Sequence, residues 1–320
     1  MKIKTHKQAV TYLESFIRPS IFKSITPEEA EKLNPLSRME KLLELLGNPH
    51  KKFRSVQVTG TSGKGSTSYL ISKILTSAGY KTGLTISPHI GKANERVQIN
   101  NEQISDRDFI KIINRFPQIA EEMQKMGLEE PTYFELLLSI AFIYFAQEKV
   151  DIAVVEVGIE GKYDGTNLIN APVVVLTNIG LDHTEILGDT VEKIADEAVS
   201  AIRRDSIVIT GEEKKEVLQI IKNRCFETKS KLFQINKDFS VVTRNSSEKR
   251  IDFDFKSGNK VFKDLKLSLI GEYQAENAGL TIEAALSLEE LGFKVSEENI
   301  RKALRGAFFP GRFEIINYKN

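Results

Sequence analysis

A single cysteine, Cys225 in "IIKNRCFETK", stands among 320 residues, which excludes an internal disulfide and any zinc finger built on paired cysteines. Nothing beside it in the chain would lower a thiol pKa, so Cys225 reads as a packing residue rather than a nucleophile. An excess of one charge sign is missing too: 45 Lys and Arg against 44 Asp and Glu leave +1 at neutral pH. That balance provides no global field toward nucleic acid or an anionic membrane, so any anion site must be local. No apolar run approaches the roughly 18 residues of a membrane span, and "MKIKTHKQAVTYLESF" has no signal-peptide core. The expectation is a cytoplasmic protein that binds neither nucleic acid nor membrane. Internal repeats, low-complexity tracts and long Pro/Gly/Ser linkers are also lacking.

What is present is enough apolar side chain for a sizeable core, 41% of residues, with 28% charged. Near-continuous Val/Ile/Leu runs recur: "SVQVTG", "KTGLTIS", "DIAVVEVG", "PVVVLTNIG" and "SIVITGE". Such runs suit strands covered on both faces, hence a mostly parallel sheet flanked by helices. Helical patterns fall between them, at 66–78, 105–125, 132–148, 190–204 and 212–226, several opening on Ser, Thr or Asp. From 231 to 270 the text changes to short alternating pieces separated by Asn/Ser and Gly-Asn turns, which predicts a small antiparallel patch. Helices return at 273–292 and 296–305.

The stretch "VTGTSGKGST", residues 58–67, lies between a strand pattern and a helix pattern. Gly60, Gly63 and Gly65 allow positive φ and close approach of backbone N–H groups to an anion, with the helix expected to begin at Ser66 or Thr67. Lys64 adds a full charge, and a hydroxyl from Ser66 or Thr67 suits Mg²⁺. Thr61 and Ser62 complete this phosphate-binding loop. The commoner spacing G-x-x-x-x-G-K-[ST] would require Gly at Val58 and a hydroxyl at Gly65, and neither is there.

In an open parallel sheet, ligands gather beyond the carboxyl ends of the strands. Three runs deliver polar groups to that edge: Ser87 and His89 from "LTISPHI", Glu156 with Asp164 and Asn167 from "IAVVEVGIEGKYDGTN", and Asp182 with His183 from "VVVLTNIGLDH". Glu156 interrupts an apolar strand, where an unpaired carboxylate would cost several kcal/mol, so a Mg²⁺ ligand is the economical reading. His183 is a candidate ligand by position, although a lone histidine also fits a structural role. His6 and His50 read as surface residues. Glu135, in the first turn of "PTYFELLLSIAFIYFA", is explained by capping.

These stretches, with "SRMEKLLELLGNPHKKF", "NERV", "TYFE", "IGLDHTEILGDTVEKIA", "GEYQAENAGL" and "FPGRFEII", resemble the folylpolyglutamate and dihydrofolate synthases of the Mur ligase superfamily over nearly the whole chain. The resemblance implies an ATP-binding domain over 1–316, with 317–320 starting a linker. It implies that Gly60, Gly63, Lys64 and Gly65 hold a triphosphate, and that Ser66, Ser87, Glu156 and His183 ligate two Mg²⁺ ions. Asn277 in "QAEN" resembles an adenine or ribose contact, and Arg312 in "PGRF" an arginine that reaches the phosphates; on pattern alone they are a helix residue and a turn charge. The implied catalytic residues are Lys64, Glu156 and His183. The implied reaction joins glutamate to a folate or pteroate carboxylate through an acyl phosphate.

Several positions depart from the family pattern. Ala198 stands where the family carries a lysine that becomes carbamylated and supports the second metal, and its helical neighbours Ile194, Ala195, Ala201 and Ile202 cannot replace it. Weak turnover is expected, since loss of a metal-supporting group typically costs about 10- to 100-fold. Ser62 replaces the usual Asn, and Glu160 and Lys162 replace Gly and Arg. No "D-G-A-H-N-P"-like string follows "PGRFEII", so the C-terminal ligase domain is expected to be absent from this sequence: the sequence is a fragment, a separate chain supplies that half, or the protein has another job. Two other functions stay open: a nucleotide-binding subunit with weakened catalysis, and a Mur-type ligase for another acid.

Overall fold

The computed structural model describes residues 2–17, 35–159 and 161–315. Glu160 and the expected linker start at 317–320 lie outside the described residues. In chain order, the helices among the described residues are α1 (His6–Glu14), α2 (Pro35–Leu45), α3 (Lys64–Ser77), α4 (Asp106–Ile113), α5 (Phe116–Lys125), α6 (Tyr133–Glu148), α7 (Thr184–Leu187), α8 (Val191–Ala198), α9 (Lys215–Thr228), α10 (Tyr273–Ser287) and α11 (Glu297–Arg305). The strands are β1 (Arg54–Thr59), β2 (Thr82–Thr85), β3 (Val97–Ile99), β4 (Glu102–Gln103), β5 (Ile152–Glu156), β6 (Val173–Leu176), β7 (Ile207–Thr210), β8 (Lys231–Gln234), β9 (Phe239–Ser246), β10 (Ile251–Ser257) and β11 (Lys260–Leu267).

The first eight strands form one sheet in the order β4-β3-β2-β5-β1-β6-β7-β8. The six from β2 to β8 across the sheet run parallel, and β3 and β4 add an antiparallel edge. Pleating sends alternate side chains to opposite faces. In β5, Ile152 and Val154 join one core with α3, α10 and α11, while Ala153 and Val155 join the other with α1, α2, α4 and α6. The same alternation carries Glu156 to the α3 face. Gln57, a polar residue in the central strand, is satisfied on the opposite face by Thr166 Oγ1 at 3.1 Å and Asn167 Oδ1 at 3.2 Å.

Strands β9 to β11 form the separate antiparallel sheet. Ile251, Phe253 and Phe255 of β10 are fully buried, as expected of one face of an alternating strand laid on a helix. This patch begins at 239 rather than 231: "KLFQ" is β8, parallel to β7, because Lys231–Gln234 follow α9 as a right-handed crossover would deliver them. The helix expected over 105–125 is two. Asn114 and Arg115 separate α4 from α5, and Pro117, which has no N–H to donate, occupies the first turn of the second. Helix α3 starts at Lys64, two residues earlier than expected, since Gly63 takes its N-cap at φ 86°.

Two histidines also differ from expectation. His50 is buried, beside the Phe142 ring, in the turn 49–51. Burial, then the Lys51 charge, pushes its pKa down to about 4. His6 is half-buried, its Nε2 2.6 Å from Asn94 Oδ1. Cys225 is buried in α9 with its pKa pushed up to about 11 by burial, consistent with packing. Thr132 and Glu135 form the expected capping box, and Arg38 adds a bidentate contact to Glu135. No described helix is long and apolar enough to cross a membrane.

Candidate nucleotide and metal site

Strand β1 ends at Thr59 in the middle of the sheet, and the chain must then turn sharply enough to lay α3 on one face. Gly60, at φ 119°, does this where no side chain fits: a Cβ there would stand 2.8 Å from the Asn178 carbonyl oxygen and 2.9 Å from the Thr177 nitrogen. Thr61 N–H donates to Asn178 O at 2.7 Å, Ser62 N–H donates to Asn178 Oδ1 at 3.0 Å, and Gly180 N–H donates to Thr61 Oγ1 at 2.9 Å. The loop after β1 is thereby knitted to the one after β6, which carries His183. That second loop is itself held from β7: buried Glu212 accepts from Ile179 N–H at 2.8 Å, and Lys214 Nζ donates to Ile179 O at 2.6 Å.

The first turn of α3 has no acidic residue and no side-chain cap. Its N–H groups and the positive end of the helix dipole therefore remain for an anion. Lys64 Nζ donates to Gly60 O at 2.5 Å and to Thr61 O at 3.3 Å, so its ammonium sits inside the loop rather than out in solvent. Across the loop, Asn277 of α10 lies so close that a Cβ on Gly63 would collide with its Oδ1. Asn277 Nδ2 donates to Gln274 Oε1 at 3.0 Å, and Gln274 Nε2 donates to Ser66 Oγ at 3.2 Å. Of the two hydroxyls considered for a metal, Ser66 is tied into this network, whereas Thr67 is fully buried with its Oγ1 enclosed.

Gly65 marks where the charges converge. A Cβ there would lie 3.0 Å from Arg312 Nη2 and 3.3 Å from Glu156 Oε1. Arg312 is brought in by a stack: its guanidinium is 5.4 Å from the Phe309 ring centroid, and Phe309 lies on Tyr69 of α3 at 4.8 Å. Tyr69 also accepts from Phe308 N–H through its hydroxyl, at 3.0 Å.

Glu156 is 6% exposed, and Ser87 N–H donates to its Oε2 at 2.5 Å. Burial pushes its pKa up to about 7, against the pull of that N–H and of Lys64, Arg312 and Arg96. A carboxylate this reluctant to ionise, surrounded by cations and an anion-seeking helix end, has the chemistry of a divalent-ion ligand. Among the described residues, no three His, Cys, Asp or Glu side chains cluster to hold a metal. The donor set nevertheless fits Mg²⁺, which takes one or two carboxylates and completes its shell with hydroxyl, phosphate and water oxygens. His183 opens α7 in the left-handed region at φ 46°, 43% exposed, and among the described residues its polar partner is Asp182.

Some of the site was not foreseen. Arg96, half-buried, donates Nε–H to His89 Nδ1 at 2.9 Å and lies over the Tyr133 ring. Gln274 joins the site through its i, i+3 spacing from Asn277, a spacing present in "QAEN". Asp164 is a scaffold: it is buried and accepts from the N–H groups of Gly158, Ile159 and Thr166, shaping the loop after Glu156.

The family model for the Mur ligase middle domain matches residues 58–285. The chain is 37% identical over 285 residues to a dihydrofolate synthase/folylpolyglutamate synthase of Bacillus subtilis, covering 88% of this chain and 66% of that protein. It is 32% identical over 314 residues to the folylpolyglutamate synthase of Lacticaseibacillus casei, covering 98% and 71%. A solved FPGS–AMPPCP–folate complex superposes with a TM-score of 0.90 at 31% identity, covering 98% of this chain and 74% of that one. The chain thus spans about two thirds of the length of these two relatives, and between 31% and 60% of the length of other curated relatives it matches. With fold, loop and sequence in agreement, the chain belongs to the folylpolyglutamate/dihydrofolate synthase family of the Mur ligases.

Proposed function

We propose that the chain binds Mg·ATP and a pteridine acid for an ATP-dependent ligase that joins glutamate to a folate or pteroate carboxylate. The amino-acid side of the reaction involves, in addition, whatever corresponds to the remaining third of the relatives' length, on the same chain or a separate one. The observation that carries this reading is the meeting of Arg312 and Glu156 over Gly65, at the open end of α3. In support, a related protein has been solved with both AMPPCP and folate.

In this reading Gly60, Thr61, Ser62, Gly63, Gly65 and Thr67 shape the phosphate cradle, and Lys64 and Arg312 offset charge on the transferring phosphoryl group. Asn277 and Gln274 hold the nucleoside side. Ser66, Ser87, Glu156 and His183 would ligate Mg²⁺, which supplies charge neutralisation at the phosphates when bound. An oxygen of the acid attacks the γ-phosphorus while the bond to the β-phosphate oxygen breaks, giving an acyl phosphate and ADP. The glutamate amine then attacks the acyl carbon, phosphate leaves, and the amine proton goes to solvent.

The test combines calorimetry with an ADP-release assay on the full chain. Mg·ATP binding is expected to weaken at least about 10-fold in Lys64→Ala with the fold intact, and ADP release to require both the acid and glutamate. Unchanged ATP affinity in that variant overturns the assignment. A second reading, a nucleotide-binding subunit with weakened catalysis, is favoured by Ala198, which is 2% exposed among Ile194, Ala195, Ala201 and Ile202. Tight Mg·ATP binding without substrate-stimulated ADP release would select it.

A further inference from the structure

His89 lies in the loop between β2 and the turn 93–96, and the site described above gives it no task. Its loop is rigidly built. The Glu95 carboxylate accepts from the N–H groups of Ile90, Gly91 and Lys92 at 2.8, 2.8 and 2.7 Å, and Ser87 N–H is fastened to Glu156. Ile90, although largely exposed, has its Cδ1 close against Gly311, next to Arg312. The imidazole is therefore presented from a fixed frame that shares its walls with the nucleotide site.

Its hydrogen bond to Arg96 then decides which nitrogen carries the proton. A guanidinium Nε–H can only donate, so Nδ1 is an acceptor and the neutral ring bears its hydrogen on Nε2. In that form neither nitrogen is available to a metal ion or as a base: one is occupied and the other protonated. Nε2–H is a donor without a hydrogen-bond partner among the described residues, on a half-exposed ring within the field of the Glu95 and Glu14 carboxylates. Tyr133 lies under the Arg96 guanidinium, the Glu14 carboxylate acts on both Tyr133 and His89, and the Glu95 carboxylate is taken up by three backbone N–H groups.

Sheet order says what comes to this recess. The strands run β2-β5-β1-β6, with the phosphate loop after β1 and the Asn277–Gln274 pair of α10 on the β6 side. Glu156, at the end of β5, sits between that loop and β2. A nucleotide with its base toward α10 turns its last phosphate toward Glu156, and the space beyond, on the β2 flank, is left for the group that attacks it. We propose that His89 donates its Nε2–H to the carboxylate-bearing acid on the β2 flank of Glu156, with Arg96 as its positioning residue. This rests on the proposed function and adds to it the residue that receives the acid.

The experiment uses the full chain, with folic acid titrated calorimetrically in the presence of Mg·AMPPCP. In His89→Gln the amide nitrogen reaches the place of Nε2, whereas in His89→Asn it reaches only that of Nδ1. His89→Gln is expected to bind folic acid within about 3-fold of wild type, and His89→Asn and His89→Ala about 10-fold or more weakly. All three should bind Mg·AMPPCP as wild type does, which also certifies their folding. Arg96→Met should weaken folic acid binding in the wild-type background but add nothing in the His89→Ala background, the coupling a positioning residue must show. If His89→Ala or His89→Asn binds folic acid like wild type, or if His89→Gln is as weak as His89→Ala, the inference is overturned while the proposed function stands. If wild type binds Mg·AMPPCP but neither folic acid nor dihydropteroate, the substrate class fails and the inference with it.

Discussion

Glu156 concentrates the physics of this protein in one side chain. Its folded pKa of about 7 lies above the ordinary 4.5, so the fold favours the protonated acid. That contribution to stability is complete below the ordinary value and is lost as pH rises through about 7. In EDTA, the unfolding free energy of the wild type should therefore fall between pH 5 and pH 8, by about 3 kcal/mol at most. Glu156→Gln should lack this component and be the more stable protein at pH 8, while losing Mg·ATP binding. Urea denaturation at several pH values measures it; parallel wild-type and variant curves would refute the burial account. This residue was legible in the sequence because a carboxylate amid "AVVEVG" demands a reason. Arg96 was not, since its meaning lies in a hydrogen bond to a residue seven positions away and in its approach to an acid sixty positions further on.

At the scale of elements, α3 and α8 set what the site can do. Gly65 leaves room between the first turn of α3 and the two charged groups that face it. Gly65→Ala should leave the helix and the fold intact, because α3 does not need positive φ there and Arg312 can give way. The added methyl should nevertheless weaken Mg·ATP binding about 10-fold or more by occupying the gap, as read by calorimetry beside a thermal melt. Helix α8 ends on Ala198 inside the core. Ala198→Lys must either bury an ammonium, lowering thermal stability, or thread it toward the proposed metal site. On the second course ADP release should rise about 10-fold or more, and a variant that folds without gaining activity would count against the family role of this position. The parallel strands and most helices could be read from hydrophobic period. β8 could not, because a short amphipathic strand at a sheet edge looks the same whether its partner is parallel or antiparallel. The division between α4 and α5 has its sequence signal in Pro117, which cannot donate within a continuous helix.

On the scale of the whole molecule, one sheet separates two apolar cores, and His50 tests the one opposite α3. Its pKa is held at about 4, below the ordinary 6.5, by burial and by Lys51. A depressed value means stability present above 6.5 and lost as pH falls toward 4, when the unfolded chain takes up the proton more readily. His50→Leu should flatten the acid side of the stability curve between those limits, with little change at pH 8; an identical acid decline in both proteins would refute it. The sequence placed this histidine at the surface because a Pro-His-Lys turn looks solvated, and only the approach of α6 shows otherwise.

Helix α10 joins the two parts of the fold that sequence treats as unrelated. Its first turns carry Gln274 and Asn277 into the phosphate loop, and one half-turn later Gly279 is pressed against Val241 of β9. The outer three-stranded sheet and the loop thus grip the same rigid rod. Any displacement of that sheet that moved α10 would carry Gln274 and Asn277 with it, and so would change the wall of the proposed phosphate site.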